Sequence, residues 1–344
     1  MFNPQGTMLN SYWYIACQSQ ELGKKPLGTT ILQQPIVLFR TADNKAIALE
    51  DRCSHRNAPL SQGKIIENNL QCPYHGWRYA PDGQVIDIPA FPETLPIPSH
   101  LCVKHYCCIE QDGFVWVCLS EKPAQDRPLD FPFLSQPGWT NFRMKTRFKA
   151  AVETCLENFL DCPHATYVHR FWFRSPQGKT IKALVKTLPD GAVAEYFEEP
   201  REDGLVWWLL TRQKSQMKHT DRFIAPATSR VDYIFNDSRH YIITSSCTPI
   251  SDVETEVYTV ISFKFPVIGW LIRLLFEPLS RLIIAQDVKI LNLQQANIKR
   301  FGKANYKFMS TDLLAHYIIK WRQGIKQESE LPPAGLEHFV DIRL

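Results

Sequence analysis

The segment that most constrains this chain is residues 53–77, CSHRNAPLSQGKIIENNLQCPYHGW. It contains two Cys–His pairs, Cys53 with His55 and Cys72 with His75. Thiolates and imidazoles at such short spacings are typical metal ligands. Two kinds of metal site fit them: one zinc ion held by four residues, or a two-iron cluster with two cysteines on one iron and two histidines on the other. Four unrelated core residues would be an improbable coincidence in so short a stretch.

The residues around these pairs favour close approach of the backbone. Gly63, Pro73 and Gly76 lie beside the candidate ligands. Such positions let main-chain amide groups come near enough to hydrogen-bond the sulfur atoms of a cluster.

Composition excludes several other classes of protein. The chain has 344 residues, of which 44% are hydrophobic and 22% charged, which is typical of an ordinary globular protein with one large core or two modest domains. Its net charge of +4, without any Lys/Arg-rich run, argues against a nucleic-acid partner. The start, MFNPQGTMLNSYWY, lacks the pattern of a secretory signal, so the ten cysteines are expected to be reduced and the location cytoplasmic.

The chain is predicted to form two domains, residues 1–125 and residues 126–344. The first alternates short apolar runs with turn signals (PIVLFR, AIALED, GFVWVCL), which indicates a small antiparallel β domain with a hairpin turn at Pro81-Asp82-Gly83. A proline-rich linker, EKPAQDRPLDFPFLSQPGW, follows.

The second part mixes helical and strand patterns. Apolar residues recur at helical spacing in KAAVETCLENFLDCPHATYVH, and helices are also predicted over about 266–300 and 312–323. Between them, runs rich in β-branched and aromatic residues predict a second antiparallel sheet: GLVWWLLTRQK, SRVDYIFN, HYIITSSCTPI and TEVYTVISFKF. The predicted fold class is therefore α+β.

The motifs C-S-H and C-P-Y-H-G-W resemble those of Rieske proteins. The resemblance implies that Cys53 and Cys72 hold one iron of a [2Fe-2S] cluster while His55 and His75 hold the other. Respiratory Rieske proteins carry an additional cysteine in each loop, and here those places are Ala58 and Tyr74. The chain therefore resembles the oxygenase and ferredoxin type, and it continues far beyond the length of a ferredoxin.

A second cluster of metal-ligand residue types lies downstream, in ETCLENFLDCPHATYVH. Glu157, Asp161 and His164 fall at i, i+4 and i+7, on one face of a helix. His169 lies off that face, but Pro163 is expected to distort or end the helix, so that both imidazoles can turn toward one point. Two histidines and a carboxylate with open positions are what non-haem Fe(II) needs to bind oxygen. Either histidine alone would more simply be an ordinary core or surface residue.

The pattern E-N-x-x-D-x-x-H-x-x-x-x-H is similar to the mononuclear-iron motif of Rieske oxygenase catalytic subunits. In that family the third ligand is an aspartate on a late helix, and RLIIAQDVKILNLQQANIKRFG matches with Asp287. Among its apolar neighbours Asp287 would be an unpaired charge without a cation. Asp252, Glu277 and Asp312 are the competing carboxylates.

The resemblance also implies roles for two further residues. Asp161 would accept hydrogen bonds from a cluster histidine of a neighbouring subunit and from an iron-bound histidine, which implies a homotrimer. Asn158 would face the iron site. A plain helix-surface position is the alternative for Asp161.

The segment FPVIGWLIRLLFEPLSRLII could be mistaken for a membrane span, but Arg273, Glu277 and Arg281 interrupt it. These residues form one polar stripe on an amphipathic helix. Packing on the second domain is the favoured role. A lid over the pocket, a subunit contact and peripheral membrane contact are the alternatives.

By this resemblance the chain is a Rieske non-haem iron oxygenase, catalytic (alpha) subunit, with a helix-grip catalytic domain. It would use O2 and NAD(P)H electrons from a separate reductase or ferredoxin, because no Gly-rich dinucleotide turn is present. The length resembles small homotrimeric monooxygenases and demethylases rather than ring dioxygenases. The composition hints at an aromatic or polycyclic substrate. An electron carrier and a zinc protein are the alternatives. Five aromatic residues could line a pocket, although core positions are the simpler interpretation: Trp207, Trp208, Tyr233, Phe235 and Tyr241.

Overall fold

The structure is a computed structural model, and it describes residues 8–170, 172, 179–197, 217–265 and 269–344. The predicted strand at 204–214, with Trp207 and Trp208, lies outside the described residues. The chain forms two compact units, Met1–Asp130 and Phe131–Leu344. This division falls five residues beyond the predicted domain boundary at 125/126.

The first unit is built from two antiparallel sheets. Its strands are β1 (Trp13–Gln18), β2 (Leu27–Ile31), β3 (Gln34–Arg40), β4 (Ala46–Glu50), β5 (Lys64–Ile66), β6 (Asn69–Gln71), β7 (Arg78–Tyr79), β8 (Val85–Asp87), β9 (His105–Gln111) and β10 (Phe114–Cys118). One sheet has the order β1-β10-β9-β4-β3-β2 and the other β5-β6-β7-β8. The predicted runs PIVLFR, AIALED and GFVWVCL fall on β3, β4 and β10.

The predicted hairpin turn at Pro81-Asp82-Gly83 joins β7 to β8. The Gly83 amide donates to the Ala80 carbonyl at 2.9 Å, and Gly83 has a φ of +87°. A Cβ at this position would lie 2.2 Å from the Val103 carbonyl oxygen. Glycine is therefore required both by the left-handed backbone and by the close approach of the neighbouring chain segment.

Buried apolar residues of β3, β4, β6 and β7 form the core that supports the metal-ligand loops. Cys53 and Cys72 belong to this core, together with Phe39, Leu60 and Tyr79. The two thiols are thus held by close packing on the inner side of their loops.

The second unit is built on one antiparallel sheet, which has eight strands in the described part of the chain. They are β11 (Trp139–Phe148), β12 (Thr180–Leu188), β13 (Gly191–Phe197), β14 (Lys218–Ile224), β15 (Thr228–Asn236), β16 (Arg239–Ser251), β17 (Glu254–Lys264) and β18 (Glu337–Arg343). The order is β11-β17-β16-β15-β14-β13-β12-β18. The predicted strands SRVDYIFN, HYIITSSCTPI and TEVYTVISFKF correspond to β15, β16 and β17, and the α+β fold class is confirmed.

Helices accompany this sheet. They are α1 (Val152–Phe159), α2 (His164–Tyr167), α3 (Gly269–Phe301) and α4 (Ala315–Gln327). The helix containing the candidate iron ligands is not continuous, since α1 ends at Phe159 and α2 begins at His164. The prediction that Glu157, Asp161 and His164 share one face of a helix is therefore wrong, because Asp161 lies between the two helices. The expected interruption is observed, and it extends from Leu160 to Pro163.

Two ion pairs to Glu153, one of them from the buried Arg322, attach α1 to α4. The Arg322 guanidinium is 2.8 Å from the Glu153 carboxylate, and the Lys326 ammonium is 3.0 Å from it. Arg322 also donates to the carbonyl of Pro226 at 2.8 Å. These charged contacts fix the helix that leads into the candidate iron site.

The long helix α3 packs against β11 and carries the predicted polar stripe. Glu277 pairs with Arg273 at 3.1 Å and with Arg281 at 2.9 Å. Across the described residues, no helix has the length and apolar content needed to traverse a lipid bilayer.

Candidate metal centres and substrate cavity

The two Cys–His pairs of the first unit lie on two turns, each closed by the backbone. The Cys53 amide donates to the Ala58 carbonyl at 2.9 Å, and the Cys72 amide donates to the Trp77 carbonyl at 2.8 Å. The first turn lies between β4 and β5, and the second joins β6 to β7. Both turns are therefore fixed by strands, with Cys53 and Cys72 at their closed bases and His55 and His75 within the turns.

Cysteines and histidines differ in exposure. Cys53 and Cys72 are 2% and 3% exposed, whereas His55 is half-buried and His75 is exposed. The His55 and His75 rings are 4.6 Å apart at an angle of 62°, and His55 stacks on Trp77 at 4.6 Å. The thiols thus face the core while the imidazoles lie at the surface.

Tyr79 lies beside one of the thiols. Its hydroxyl is 3.0 Å from Cys53 Sγ, and it accepts a hydrogen bond from the Ser54 amide at 3.1 Å. The same hydroxyl is 3.1 Å from Ser54 Oγ. When Cys53 is a thiolate, its sulfur can only accept, so Tyr79 is the donor in the contact between them. Burial raises the pKa of the Cys72 thiol, and the adjacent Cys53 thiol raises it further. A bound cation would relieve the cost of holding two thiolates together in the core.

The spacing of these four residues tests the choice between one zinc ion and a cluster. A tetrahedral zinc ion would bring all four donor atoms within about 4 Å of one another. No three of these four donors, all of which the structure describes, lie within 4.8 Å of each other. Two neighbouring thiols at one end and two neighbouring imidazoles at the other fit a group larger than one ion, which agrees with a two-iron cluster.

The second unit brings His164, His169 and Asp287 together. Their donor atoms all lie within 4.8 Å of one another. His169 Nε2 is 3.2 Å from Asp287 Oδ1, His164 Nε2 is 3.6 Å from the same oxygen, and the two Nε2 atoms are 3.3 Å apart. Donors bound to one ion at about 2.1 Å and near a right angle lie about 3 Å apart, so these separations fit a single metal.

Hydrogen bonds on the far side of each ring fix the tautomers. His169 Nδ1 is 2.8 Å from Gln286 Oε1, and His164 Nδ1 bonds to the Asp161 carbonyl oxygen. Both acceptors are oxygens, so each Nδ1 carries the proton and each Nε2 offers a lone pair. Two lone pairs and a buried carboxylate oxygen facing each other require a cation, and a divalent metal fits this donor set.

The pKa shifts of His164 and Asp287 agree with the need for a cation between these side chains. Burial opposes the charge on both His164 and Asp287, yet Asp287 raises the pKa of His164 and the two imidazoles lower the pKa of Asp287. Asp287 Oδ1 has no hydrogen-bond partner in the described part of the protein. The competing carboxylates Asp252, Glu277 and Asp312 belong to no such ligand group within the described residues.

Asp161 lies next to His164, and Asn158 belongs to α1, the helix that precedes it. Asp161 contacts His164 through its main-chain carbonyl, and its carboxylate oxygen is 4.0 Å from His164 Nδ1. Asn158 Oδ1 is buried without a hydrogen-bond partner in the described chain. Sequence reasoning assigned no role to Gln286 or Tyr79. Gln286 precedes Asp287 and Tyr79 follows the CPYHGW motif, so adjacency to the motifs was the available signal.

These imidazoles and Asp287 form one wall of a cavity of about 130 Å³. Its other walls come from the inner faces of β14–β17 and from α3. Tyr233 and Tyr241 line it, which adds to the core role predicted for them, whereas Phe235 lies in the core. Two polar residues that sequence reasoning missed, His219 and Asp221, also line it. In the sequence, the signal for them was their spacing of two residues, which places both side chains on the same face of a strand.

Comparison with known proteins agrees with this arrangement. The Rieske [2Fe-2S] domain family matches residues 12–107. The family described as vanillate O-demethylase oxygenase C-terminal domain matches residues 148–327, more than half of the chain. The chain belongs to the Rieske oxygenase family. This confirms the resemblance inferred from the C-S-H and C-P-Y-H-G-W motifs.

The sequence matches to individual relatives extend over different shares of this chain. The oxygenase component of dicamba O-demethylase from Stenotrophomonas maltophilia is 34% identical over 166 residues, 48% of this chain and 48% of the relative. The chain thus spans about half the length of that relative. Aminopyrrolnitrin oxygenase PrnD from Pseudomonas fluorescens is 28% identical over 313 residues, 83% of this chain and 84% of the relative.

A solved structure shares the fold. The crystal structure of dicamba monooxygenase bound to 3,6-dichlorosalicylic acid superposes with a TM-score of 0.81 at 23% identity, and it covers 94% of this chain and 99% of that chain. At this identity the likeness establishes the architecture and not the substrate.

Proposed function

We propose that this chain is the catalytic subunit of an oxygenase that uses O2 and electrons from NAD(P)H to hydroxylate or demethylate an apolar aromatic or polycyclic compound. The observation that carries the proposal is the convergence of His164, His169 and Asp287 on one wall of a cavity. An electron carrier would need no such group beside a cavity, and family membership gives the proposal independent support.

The proposal assigns the metals as follows. Cys53 and Cys72 hold one iron of the [2Fe-2S] cluster, His55 and His75 hold the other, and His164, His169 and Asp287 hold a mononuclear Fe(II). When bound, the cluster supplies electrons one at a time and the mononuclear iron supplies a site for O2. Support comes from the thiol and imidazole pairs in the first unit and from the three inward-facing donors in the second.

The protein's own residues orient and protect this chemistry. Gln286 and the Asp161 carbonyl keep the protons of His169 and His164 on Nδ1, which leaves the Nε2 lone pairs toward the metal. Three protein donors leave the remaining coordination positions open. Apolar residues of the cavity, among them Met144 and Ile261, exclude water from that space and provide surface for an apolar substrate.

Asp161 and Asn158 are proposed to act beside the iron. In the resemblance on which this rests, Asp161 connects an iron-bound histidine with a cluster histidine of a neighbouring subunit, so a homotrimer belongs to the proposal. The contact of Asp161 with His164 and the unpartnered Asn158 oxygen support these positions. The mass of the loaded protein in solution, measured by light scattering, tests the trimer.

Partners and location complete the proposal. A separate reductase or ferredoxin would deliver the electrons, since the sequence has no dinucleotide-binding turn. None of the ten cysteines, all of which the structure describes, is in a disulfide, which supports a reducing, cytoplasmic environment.

The surface of α3 is a further part of the proposal. Leu274, Leu275 and Leu282 are each about 60% exposed on this helix. They support a contact with another subunit or with a lipid surface, the two roles that remain beside packing on the sheet. Co-sedimentation of the loaded protein with anionic vesicles would separate the lipid contact from the subunit contact.

The experiment that tests the function compares H164A with H316A. His316 is an exposed residue of α4 and serves as the matched control. Each protein would be incubated with reductase, NADH and a panel of methoxylated aromatics, alkaloids, sterols and tetrapyrroles, and the products analysed. H164A should keep the visible absorption of the cluster and lose all product, while H316A should keep both. Product formation by H164A would refute the assignment of the iron site.

A further inference from the structure

The cavity contains a buried polar group that the oxygen chemistry does not use. Asp221 and His219 are two residues apart on β14, so both side chains lie on the same face of the strand and both line the cavity. They are 2% and 1% exposed. Burial of a carboxylate beside a largely apolar space is costly unless donors satisfy it.

Two side chains hold Asp221 in place. The Tyr196 hydroxyl donates to Asp221 Oδ2 at 2.9 Å, and His219 Nε2 is 3.0 Å from Asp221 Oδ1. A carboxylate acceptor requires His219 Nε2 to carry a proton. Each oxygen thus receives one hydrogen bond, and a carboxylate can accept about four, so Asp221 keeps capacity for further donors.

A row of stacked rings makes this group rigid. Tyr196, His219 and Tyr233 are neighbours across β13, β14 and β15. The Tyr196 and His219 rings are 4.5 Å apart at 17°, and the His219 and Tyr233 rings are 4.3 Å apart at 23°. Tyr241 continues the row on β16, with its ring 6.3 Å from that of Tyr233. The side chains around Asp221 are therefore ordered before any substrate enters.

In the described part of the cavity wall, the charged side chains other than histidine are carboxylates. Apart from the candidate iron ligand Asp287, the wall carries the carboxylates of Asp161 and Asp221, and none of its described residues is a lysine or arginine. The neighbouring cation on β14, Arg222, pairs with the exposed Asp190 at 2.8 Å. Close to Asp221 a negatively charged group of the substrate would meet repulsion, whereas a hydroxyl or an ammonium group would find an acceptor.

We propose that Asp221 is the substrate anchor of this enzyme and that it binds a hydrogen-bond donor, a hydroxyl or an amine, on a neutral or cationic aromatic substrate. His219 and Tyr196 are positioning residues that hold the carboxylate in the acceptor orientation. The proposal rests on the proposed oxygenase function for the claim that the ligand is a substrate.

The test uses three probes that differ in one group on the same ring: 4-methoxybenzylamine, 4-methoxybenzyl alcohol and 4-methoxybenzoate. Binding to the metal-loaded protein would be measured by calorimetry without reductase. The amine and the alcohol should bind at least tenfold more tightly than the benzoate. Equal or tighter binding of the benzoate, or no binding of any probe, would overturn the proposal.

Variants locate the effect at Asp221. D221N keeps the shape and removes the charge, so it should weaken binding of the amine by about 10- to 100-fold, the range for a hydrogen bond to a charged group, and should improve binding of the benzoate. Y196F keeps the charge and should keep the order of the three probes. D341N, which removes an exposed carboxylate outside the cavity, is the matched control and should change nothing. An unchanged preference in a folded D221N protein would refute the anchor.

Formaldehyde release in the presence of reductase and NADH distinguishes the two proposals. Binding in the predicted order without formaldehyde would leave the anchor standing and refute demethylation of these probes. Formaldehyde from the benzoate at the rate seen with the alcohol would support the oxygenase function and overturn the anchor.

Discussion

Replacing Gln286 by alanine should weaken iron binding without touching a ligand. Gln286 Oε1 accepts from His169 Nδ1 at 2.8 Å, and this contact keeps the His169 proton away from Nε2. Loss of such an outer contact typically costs 10- to 100-fold in metal affinity, which is about 1.4–2.7 kcal/mol. A hydrogen bond between neutral groups makes a net contribution of about 1 kcal/mol. The expected loss of iron affinity is larger because His169 is also free to change tautomer once Gln286 is removed.

Two further variants on the same helix sharpen this prediction. In Q286E a charged acceptor replaces the amide, so iron affinity should be equal to that of the wild type or higher. Q294A removes an exposed glutamine from the same helix and should have no effect. The assay is an anaerobic titration with Fe(II) against a competing chelator, with the visible absorption of the cluster as an internal reference. Wild-type iron affinity in Q286A, or equal losses in Q286A and Q294A, would refute the reasoning.

The remaining predictions concern the cluster and two partly buried carboxylates. The Tyr79 hydroxyl lies 3.0 Å from Cys53 Sγ, so Y79F should lower the reduction potential of the cluster by about 40 mV. This is the effect of losing one hydrogen bond of about 1 kcal/mol in a one-electron couple. An unchanged potential in a redox titration would argue against the contact. Burial opposes ionisation of Glu153, but Arg322 and a neighbouring lysine lower its pKa to about 2. E153Q should therefore have an unfolding free energy about 3 kcal/mol below that of the wild type at pH 7. In urea unfolding this difference should disappear as the pH falls from 4.5 to 2. Burial, followed by two nearby carboxylates, raises the pKa of Glu157 to about 7, so the unfolding free energy of the wild type should fall as the pH rises from 4.5 to 7. E157Q should lack this fall and be the more stable protein at about pH 8. Parallel curves of unfolding free energy against pH for the two proteins would contradict the raised pKa.

The strands could be predicted from sequence where local chemistry determines the conformation. PIVLFR and TEVYTVISFKF combine β-branched residues with turn signals at their ends, and both are strands in the structure. The order of strands could not be predicted, because β11 pairs with β17 over a separation of more than one hundred residues. Such pairings depend on packing of the whole sheet and leave no local pattern.

The same limit applies to the candidate site. The Cys–His pairs are visible because all four residues lie within one short segment. Asp287 lies far along the chain from His164 and could be selected over Asp252 and Asp312 only through resemblance to a family. Asp221 was missed because an inward-facing carboxylate on a strand looks in sequence like an outward-facing one. The face of the sheet on which the Asp221 side chain lies follows from the register of β14 with β13 and β15.

The central claim is that one chain holds two different iron centres on two separate sets of residues. Metal and acid-labile sulfide analysis of the anaerobically reconstituted protein, combined with Mössbauer spectroscopy, tests it directly. The wild type should contain about three iron atoms and two sulfides per chain, and D287A should contain about two of each with an unchanged cluster spectrum. A protein without labile sulfide, or a D287A variant that retains a full complement of iron, would contradict the claim.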